Sequence, residues 1–148
     1  MSRSGVRVHV DIDATPERIW EVALDPARLG DWVTIHRSLG DHDDPPAFKG
    51  FRMSQTMTLR GVPLTVDWEL VRCDEPKYAE WAGKGPARSR ATTSYRLTPQ
   101  DGGTLFAYSN EFKTPLGPLG AVAQRAIAGD MPESEAIASL ERLRKICE

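Results

Sequence analysis

Residues 8–32 read VHVDIDATPERIWEVALDPARLGDW, and this stretch decides the fold. Its first residues alternate between apolar and polar side chains, which predicts a strand with one buried face. Thr15-Pro16 and Asp25-Pro26 then each place an N-cap residue before a proline suited to the first helical position. The stretch therefore predicts one strand followed by two short helices, the second ending near Trp32.

The middle of the chain has a second regular pattern, with a period of two. Residues 51–70, FRMSQTMTLRGVPLTVDWEL, alternate on both sides of Gly61 and predict a hairpin with one wet and one apolar face. A polar, proline-bearing loop is expected at 41–46, and a strong turn signal covers 99–103. Further strands are expected at 34–39, 78–83, 90–97 and 106–112. Together these segments predict an antiparallel sheet of six to seven strands.

The last third of the sequence changes to a helical period. Apolar residues recur at helical spacing over 119–127 and again over 137–147. Pro132 lies between the two runs, and a proline deep in a helix removes a hydrogen bond and kinks it. Asp130 and Glu133 fit a capping box that has this proline in its first turn. We therefore expect a long C-terminal helix that bends or breaks near Asp130.

Length and composition predict one folded domain over residues 1–148. The chain is 40% hydrophobic and 27% charged, with a formal net charge of −2, so nothing favours nucleic acid or an anionic membrane as a partner. No stretch reaches the ~18 apolar residues needed for membrane insertion, and the N-terminus does not resemble a signal peptide. We expect a cytoplasmic location, with Cys73 and Cys147 both reduced.

Metal and cofactor sites are not expected. The Asp-His-Asp-Asp run at 41–44 directly precedes Pro45-Pro46, and consecutive loop residues do not converge on an ion as a metal site requires. The sequence has no glycine-rich phosphate loop and no nucleophile motif with a matching base. No catalytic pair is visible, so the sequence does not decide whether the protein is an enzyme.

A cavity follows from the dimensions of the elements. One helix is about 10 Å across, too narrow to fill a strongly curved sheet, so large side chains, the short helices or a ligand must occupy the rest. Methionine and aromatic residues suit an adaptable apolar site. We expect an apolar or amphipathic small molecule between sheet and helix; a fully packed core remains the alternative. The predicted ligand contacts are Trp32, His36, Met53, Gln55, Met57, Trp68, Trp81, Thr93, Tyr95, Tyr108, Asn110, Val122 and Ala126.

His36 and Tyr95 are the best candidates for chemistry. A histidine titrates near neutral pH and can act as a base or bind a ligand. It can equally orient a loop by bonding backbone carbonyls, which is the favoured interpretation of His36. Tyr95 is predicted to point inward, where a polar group needs a partner or costs ~1–3 kcal/mol.

The order of elements and several phrases resemble the START/polyketide-cyclase superfamily, also called SRPBCC. The phrases are residues 8–32, the hairpin at 51–70 and ASLERLRKI at 138–146, so the resemblance covers essentially the whole chain. It implies the α+β helix-grip fold, in which a curved antiparallel sheet of six to seven strands wraps around a long C-terminal helix. It is not specific for any one activity.

Three patches are also similar to actinobacterial members of the superfamily named as the toxin half of a toxin–antitoxin pair. They are DWVTIHRSL (31–39), LRGVPLTVDWELVRCDEP (59–76) and TPLGPLGAVAQRAI (114–127). Met131-Pro132 departs from the continuous helix expected there. The resemblance leaves three functions open: ligand binding, a polyketide cyclase or aromatase-like reaction, and regulation through a protein partner. A homodimer is also compatible with it.

Overall fold

The computed structural model describes the backbone of residues 2–114 and 131–148 and the side chains of residues 5–114 and 132–148. Short 3-10 turns at Pro26–Arg28 and Pro86–Arg88 separate some of its elements. In chain order, the elements are β1 (Ser2–Ile12), α1 (Pro16–Ala23), α2 (Leu29–Trp32), β2 (His36–His42), β3 (Arg52–Leu59), β4 (Val62–Asp74), β5 (Tyr78–Lys84), β6 (Arg90–Gln100), β7 (Gly103–Thr114) and α3 (Met131–Cys147).

These strands form one antiparallel sheet in the order β1-β7-β6-β5-β4-β3-β2. Strands β2 to β7 are neighbours in chain order, and β1 pairs with β7 from Ser2 opposite Thr114 to Ile12 opposite Thr104. The sheet is curved, and α3 packs against it at β1 while both short helices contact α3. The α+β helix-grip fold implied by the resemblance is therefore confirmed.

Both N-caps that the sequence indicates are formed, although the second precedes a 3-10 turn at Pro26–Arg28 and α2 itself begins later, at Leu29. The Thr15 hydroxyl accepts a hydrogen bond from the backbone N–H of Arg18 at 3.2 Å. The Asp25 carboxylate accepts one from the N–H of Ala27 at 3.0 Å, at the start of the 3-10 turn that leads into α2. Each cap satisfies a backbone donor that the first helical turn leaves free.

Tight turns set the register of the hairpins. Arg60 and Gly61 have φ values of +50° and +77° between β3 and β4, and left-handed backbone at both positions matches the twist of a two-residue hairpin. The turn between β6 and β7 also has two residues, Asp101 and Gly102, because Gln100 still pairs with Gly103. The expected turn at 99–103 was thus too long.

Strand β2 differs most from the prediction. It runs over His36–His42, not 34–39, and so takes up the first part of the segment expected to be a loop. Asp43 makes two hydrogen bonds to Arg52 at the end of the β2–β3 pairing. Its N–H donates to the Arg52 carbonyl and its carboxylate accepts from the Arg52 N–H, both at 2.9 Å. β2 is an exposed edge strand with register shifts, so its sequence has no clean alternation to reveal it.

Pro132 is the second described residue of α3. The residues just before Met131, where the sequence predicts a bend or break near Asp130, lie outside the described residues. The predicted cap at Asp130 and the predicted contacts Val122 and Ala126 lie outside the described residues. In the part of the chain that the structure describes, no helix has the length and apolarity needed to cross a membrane.

Candidate functional site

A cavity lies between the concave face of the sheet and α3. The empty space inside the cavity and at its mouth is about 1040 Å³, a volume that includes open solvent. Its walls come from β1, β3 to β7, α2, the residues that follow α2, and α3. Most of the side chains in these walls are aliphatic or aromatic.

Ten of the predicted contacts lie in the cavity wall: Trp32, Met53, Gln55, Met57, Trp68, Trp81, Thr93, Tyr95, Tyr108 and Asn110. His36 is not a wall residue, and its ring reaches the cavity only through Gln55. The described wall also contains residues that the sequence reasoning did not select: Gly5, Val6, Leu29, Val33, Ile35, Leu59, Leu64, Phe112, Pro132, Glu135, Ala136, Ser139 and Leu140. For Leu59, Leu64 and Phe112 the signal was available, because they share strand parity with the selected residues.

A chain of three polar side chains runs along the β2–β4 side of the cavity. The indole N–H of Trp68 donates to Gln55 Oε1 at 3.0 Å, and Gln55 Nε2 lies 3.0 Å from His36 Nδ1. Register places these groups together, since Gln55 lies two residues along β3 from Met53, on the same face, and Met53 pairs with Trp68. Gln55 itself is only 4% exposed, so both ends of its amide depend on these partners.

The indole fixes the direction of every hydrogen bond in this chain. An indole N–H can only donate, so the facing atom of Gln55 must be its carbonyl oxygen, and the amide nitrogen must face His36. That nitrogen donates, so His36 Nδ1 must accept and be unprotonated. Burial also lowers the pKa of His36. His36 is therefore held as the neutral tautomer with its proton on Nε2, and its role here is to complete a structural network.

A second polar group lies across the cavity on β6 and β7. Thr93 and Asn110 are paired across the two strands, and the Thr93 hydroxyl donates to Asn110 Oδ1 at 3.3 Å. The Tyr108 hydroxyl bonds with both of these side chains. Burial raises the pKa of Tyr108 to about 12 even though these hydrogen bonds act in the opposite direction. The group is therefore uncharged at physiological pH.

Tyr95 lies in an aromatic cluster on the same wall. Its ring centroid is 5.4 Å from that of Phe106, 5.9 Å from that of Trp32 and 6.1 Å from that of Tyr108. Burial, with a smaller contribution from the nearby Tyr108, raises the pKa of Tyr95 far above its ordinary value. A hydroxyl that keeps its proton can donate to a ligand but cannot act as a base near neutral pH.

Two indole groups in the wall have no hydrogen-bond partner among the described residues. Trp32 is 1% exposed and Trp81 is 3% exposed, and the Nε1 atom of each is buried without an acceptor in that part of the chain. Trp32 comes from α2 and Trp81 from β5, so two separate elements each contribute a tryptophan with an unpaired N–H to the cavity wall. Buried donors without acceptors are rare in folded proteins and call for an explanation.

A polar contact closes one edge of the cavity. The backbone N–H of Thr34 donates to Ser139 Oγ at 3.0 Å, and the Thr34 hydroxyl bonds with the Glu135 carboxylate. These bonds hold the segment between α2 and β2 against α3, with Val33 and Ile35 facing the cavity on either side. No sequence pattern indicated this contact, because it joins residues about a hundred positions apart.

The site therefore offers shape, apolar surface and hydrogen-bond donors. Among the described side chains, no three histidine, cysteine, aspartate or glutamate residues lie close enough together to hold a metal ion. The described wall contains no lysine or arginine, and its one ionisable carboxyl group is that of Glu135. Such a wall can position an uncharged ligand and polarise its oxygen atoms.

The comparisons with known proteins agree with this geometry. The family model described as "Polyketide cyclase / dehydrase and lipid transport" matches residues 4–148. The protein named Toxin Rv0910 of Mycobacterium tuberculosis is 25% identical, over 84% of this chain and 88% of its own length.

Two solved structures show the same fold at low identity. The ZhuI aromatase/cyclase of Streptomyces sp. R1128 has a TM-score of 0.76 and 14% identity, and the match covers 99% of this chain and 94% of that one. TTHA0849 of Thermus thermophilus has a TM-score of 0.74 and 17% identity, with 96% and 95% covered. From the family match across nearly its whole length, we conclude that the chain belongs to the polyketide cyclase/dehydrase and lipid transport family of the SRPBCC superfamily.

Proposed function

We propose that the chain acts as a single domain that binds an apolar or amphipathic small molecule between the sheet and α3. The observation that supports this most directly is the wall itself, which combines methionine and aromatic side chains with two buried indole donors that have no acceptor among the described residues. The family description, which includes lipid transport, supports the same class of ligand.

The shape of the wall favours a ligand that is mostly apolar. Met53 and Met57 are flexible and polarisable, so they adapt to ligands of different outline. Burying apolar ligand surface contributes roughly 25 cal/mol per Å² before the losses of association. The few polar groups then orient the ligand and do not supply most of its affinity.

The test uses the protein as purified and a pair of matched variants. Ala136 faces the cavity from α3, whereas Ala138 is exposed on the same helix. Ala136→Phe should fill part of the cavity and Ala138→Phe should leave it open. Native mass spectrometry and solvent extraction should find a co-purified apolar molecule in the wild type and in Ala138→Phe, and much less of it in Ala136→Phe. Equal loading of the two variants, or no ligand in any sample, would contradict the proposal.

A cyclase-like or aromatase-like enzyme is the second candidate. The observation that favours it is Tyr95, a buried hydroxyl that keeps its proton and lines the cavity. In this case Tyr95 would act as a hydrogen-bond donor to a reacting carbonyl, and positioning would supply the rest of the catalysis. Tyr95→Phe should then remove turnover while ligand binding persists. Unchanged turnover in that variant would count against this role.

A regulator acting through a protein partner in the cytoplasm is the third candidate. It rests on the name of the Mycobacterium tuberculosis relative, which is called a toxin. Overexpression should then slow growth, and the product of a small neighbouring gene should co-purify and restore growth. Normal growth under strong overexpression would argue against it, and cell fractionation would test the cytoplasmic location.

A further inference from the structure

We infer that the indole N–H groups of Trp32 and Trp81 are ligand-binding donors, so that the natural ligand has at least two oxygen acceptors and no anionic group. This inference rests on the proposed binding function and specifies the ligand's chemistry. The acceptors are carbonyl, ether or hydroxyl oxygens on an otherwise apolar skeleton. A pure hydrocarbon and a free carboxylate are disfavoured.

The geometry behind the inference is the burial of two donors in one cavity. Both tryptophans are at least nine-tenths buried, both line the cavity, and neither Nε1–H meets an acceptor among the described residues. A buried donor that has lost water and gained no acceptor is unfavourable. A ligand oxygen at each position removes that penalty, which gives an oxygenated ligand an advantage that a hydrocarbon lacks.

Trp68 provides the internal contrast. It lines the same cavity, but its N–H donates to Gln55 Oε1 at 3.0 Å. The indole N–H of Trp68 is therefore satisfied within the protein. In the part of the chain that the structure describes, Trp32 and Trp81 have no such acceptor, and we assign their donors to a bound molecule.

The charge of the wall narrows the ligand class further. A carboxylate moved into an apolar cavity needs a cation or several donors to offset the loss of water. None of the described wall residues is lysine or arginine, and the Glu135 carboxylate would repel an anion. The same carboxylate would attract a cation, so the charge of the wall disfavours anions and not amines. The N–H groups of Trp32 and Trp81 therefore suit neutral oxygen acceptors.

The test compares two probes of similar shape, 2,6-diacetylnaphthalene and 2,6-diethylnaphthalene, by equilibrium dialysis. Trp32→Phe and Trp81→Phe each keep an aromatic ring and remove the N–H. Each should weaken binding of the diketone about fivefold, the value of one hydrogen bond, and change binding of the diethyl compound less than twofold. Trp20→Phe is the matched control, since Trp20 is buried outside this cavity, and should change neither affinity.

The outcomes separate this inference from the function on which it rests. If both probes bind and each variant weakens them equally, the donors are not used and the inference falls, while the binding cavity stands. If neither probe binds the wild-type protein, both fall. The NMR signals of the indole N–H groups give a readout without mutation. The diketone should shift the signals of Trp32 and Trp81 downfield more than that of Trp68, and unmoved signals would also overturn the inference.

Discussion

The polar groups of the cavity wall differ in how they are satisfied. On the β2–β4 side, the N–H of Trp68 and the amide of Gln55 each donate along a chain that ends at His36. Trp32 on α2, and Trp81 on β5 beside β4, hold buried donors with no acceptor among the described residues. The same residue type is therefore hydrogen-bonded at one position in the wall and unpaired at two others. The paired group stabilises the fold, whereas each unpaired donor carries an energetic cost.

Replacing Gln55, the middle residue of the chain from Trp68 to His36, should have the largest effect on stability. Gln55→Leu removes both hydrogen bonds of the chain and leaves the Trp68 N–H buried without an acceptor. We expect the free energy of unfolding to fall by about 3 kcal/mol, from two lost hydrogen bonds and one orphaned donor. Urea denaturation measures this. Gln100→Leu, at the exposed end of β6, is the control and should change stability by less than about 0.5 kcal/mol.

A substitution at Gly83 tests how tightly the cavity wall is packed around Trp68. A Cβ at this position would lie 2.6 Å from Val66 Cγ1 and 2.8 Å from the Trp68 ring, so the indole would have to move. Gly83→Ala should lower the free energy of unfolding by about 2 kcal/mol through overpacking. Gly5→Ala is the control, because its Cβ would meet only the Asn110 carbonyl oxygen at an ordinary 3.6 Å. Equal stability of the two variants would show that the Trp68 ring is free to shift.

Comparing Trp68 with Trp81, on the neighbouring strand, should give a smaller difference. Trp68→Phe and Trp81→Phe remove similar volume, but only the first leaves a protein acceptor, Gln55 Oε1, without its donor. The Trp68 variant should therefore be less stable than the Trp81 variant by about 1 kcal/mol in the ligand-free protein. Thermal and urea denaturation after delipidation would measure the difference. A Trp81 variant that is the less stable of the two would mean that its N–H has an acceptor in the fold.

The sequence predicted the sheet and much of the cavity wall for one physical reason. On β3, β4 and β6 one face is buried and the other wet, so alternation identifies Gln55, Trp68 and Tyr95 as residues of one face. The edge strand β2 buries little, and its bounds were therefore misplaced. The link of His36 to Gln55 depends on register across bulges, and the contact of Thr34 with Ser139 depends on where α3 lies. Neither leaves a local pattern.

The smallest effect should be the contribution of His36 to the pH dependence of stability. Its sign follows from the role of His36 Nδ1 as a hydrogen-bond acceptor. Burial lowers the pKa of His36 in the folded protein, so the unfolded chain takes up this proton at a higher pH, near the ordinary value of about 6.5. The unfolding free energy should therefore decrease as the pH falls from about 6.5 toward the lower folded pKa, because a protonated Nδ1 cannot accept from Gln55.

His36→Asn separates this titration from the others. Its side-chain oxygen can accept from Gln55 without titrating, while His9 and His42 are exposed and unchanged in both proteins. Denaturation curves between pH 8 and pH 5 should show a shallower loss of stability in the variant than in the wild type. Parallel curves would mean that His36 is not held as an acceptor. The direction of the hydrogen bonds from Trp68 to His36, and with it the contrast between the paired and the unpaired indoles, would then have to be revised.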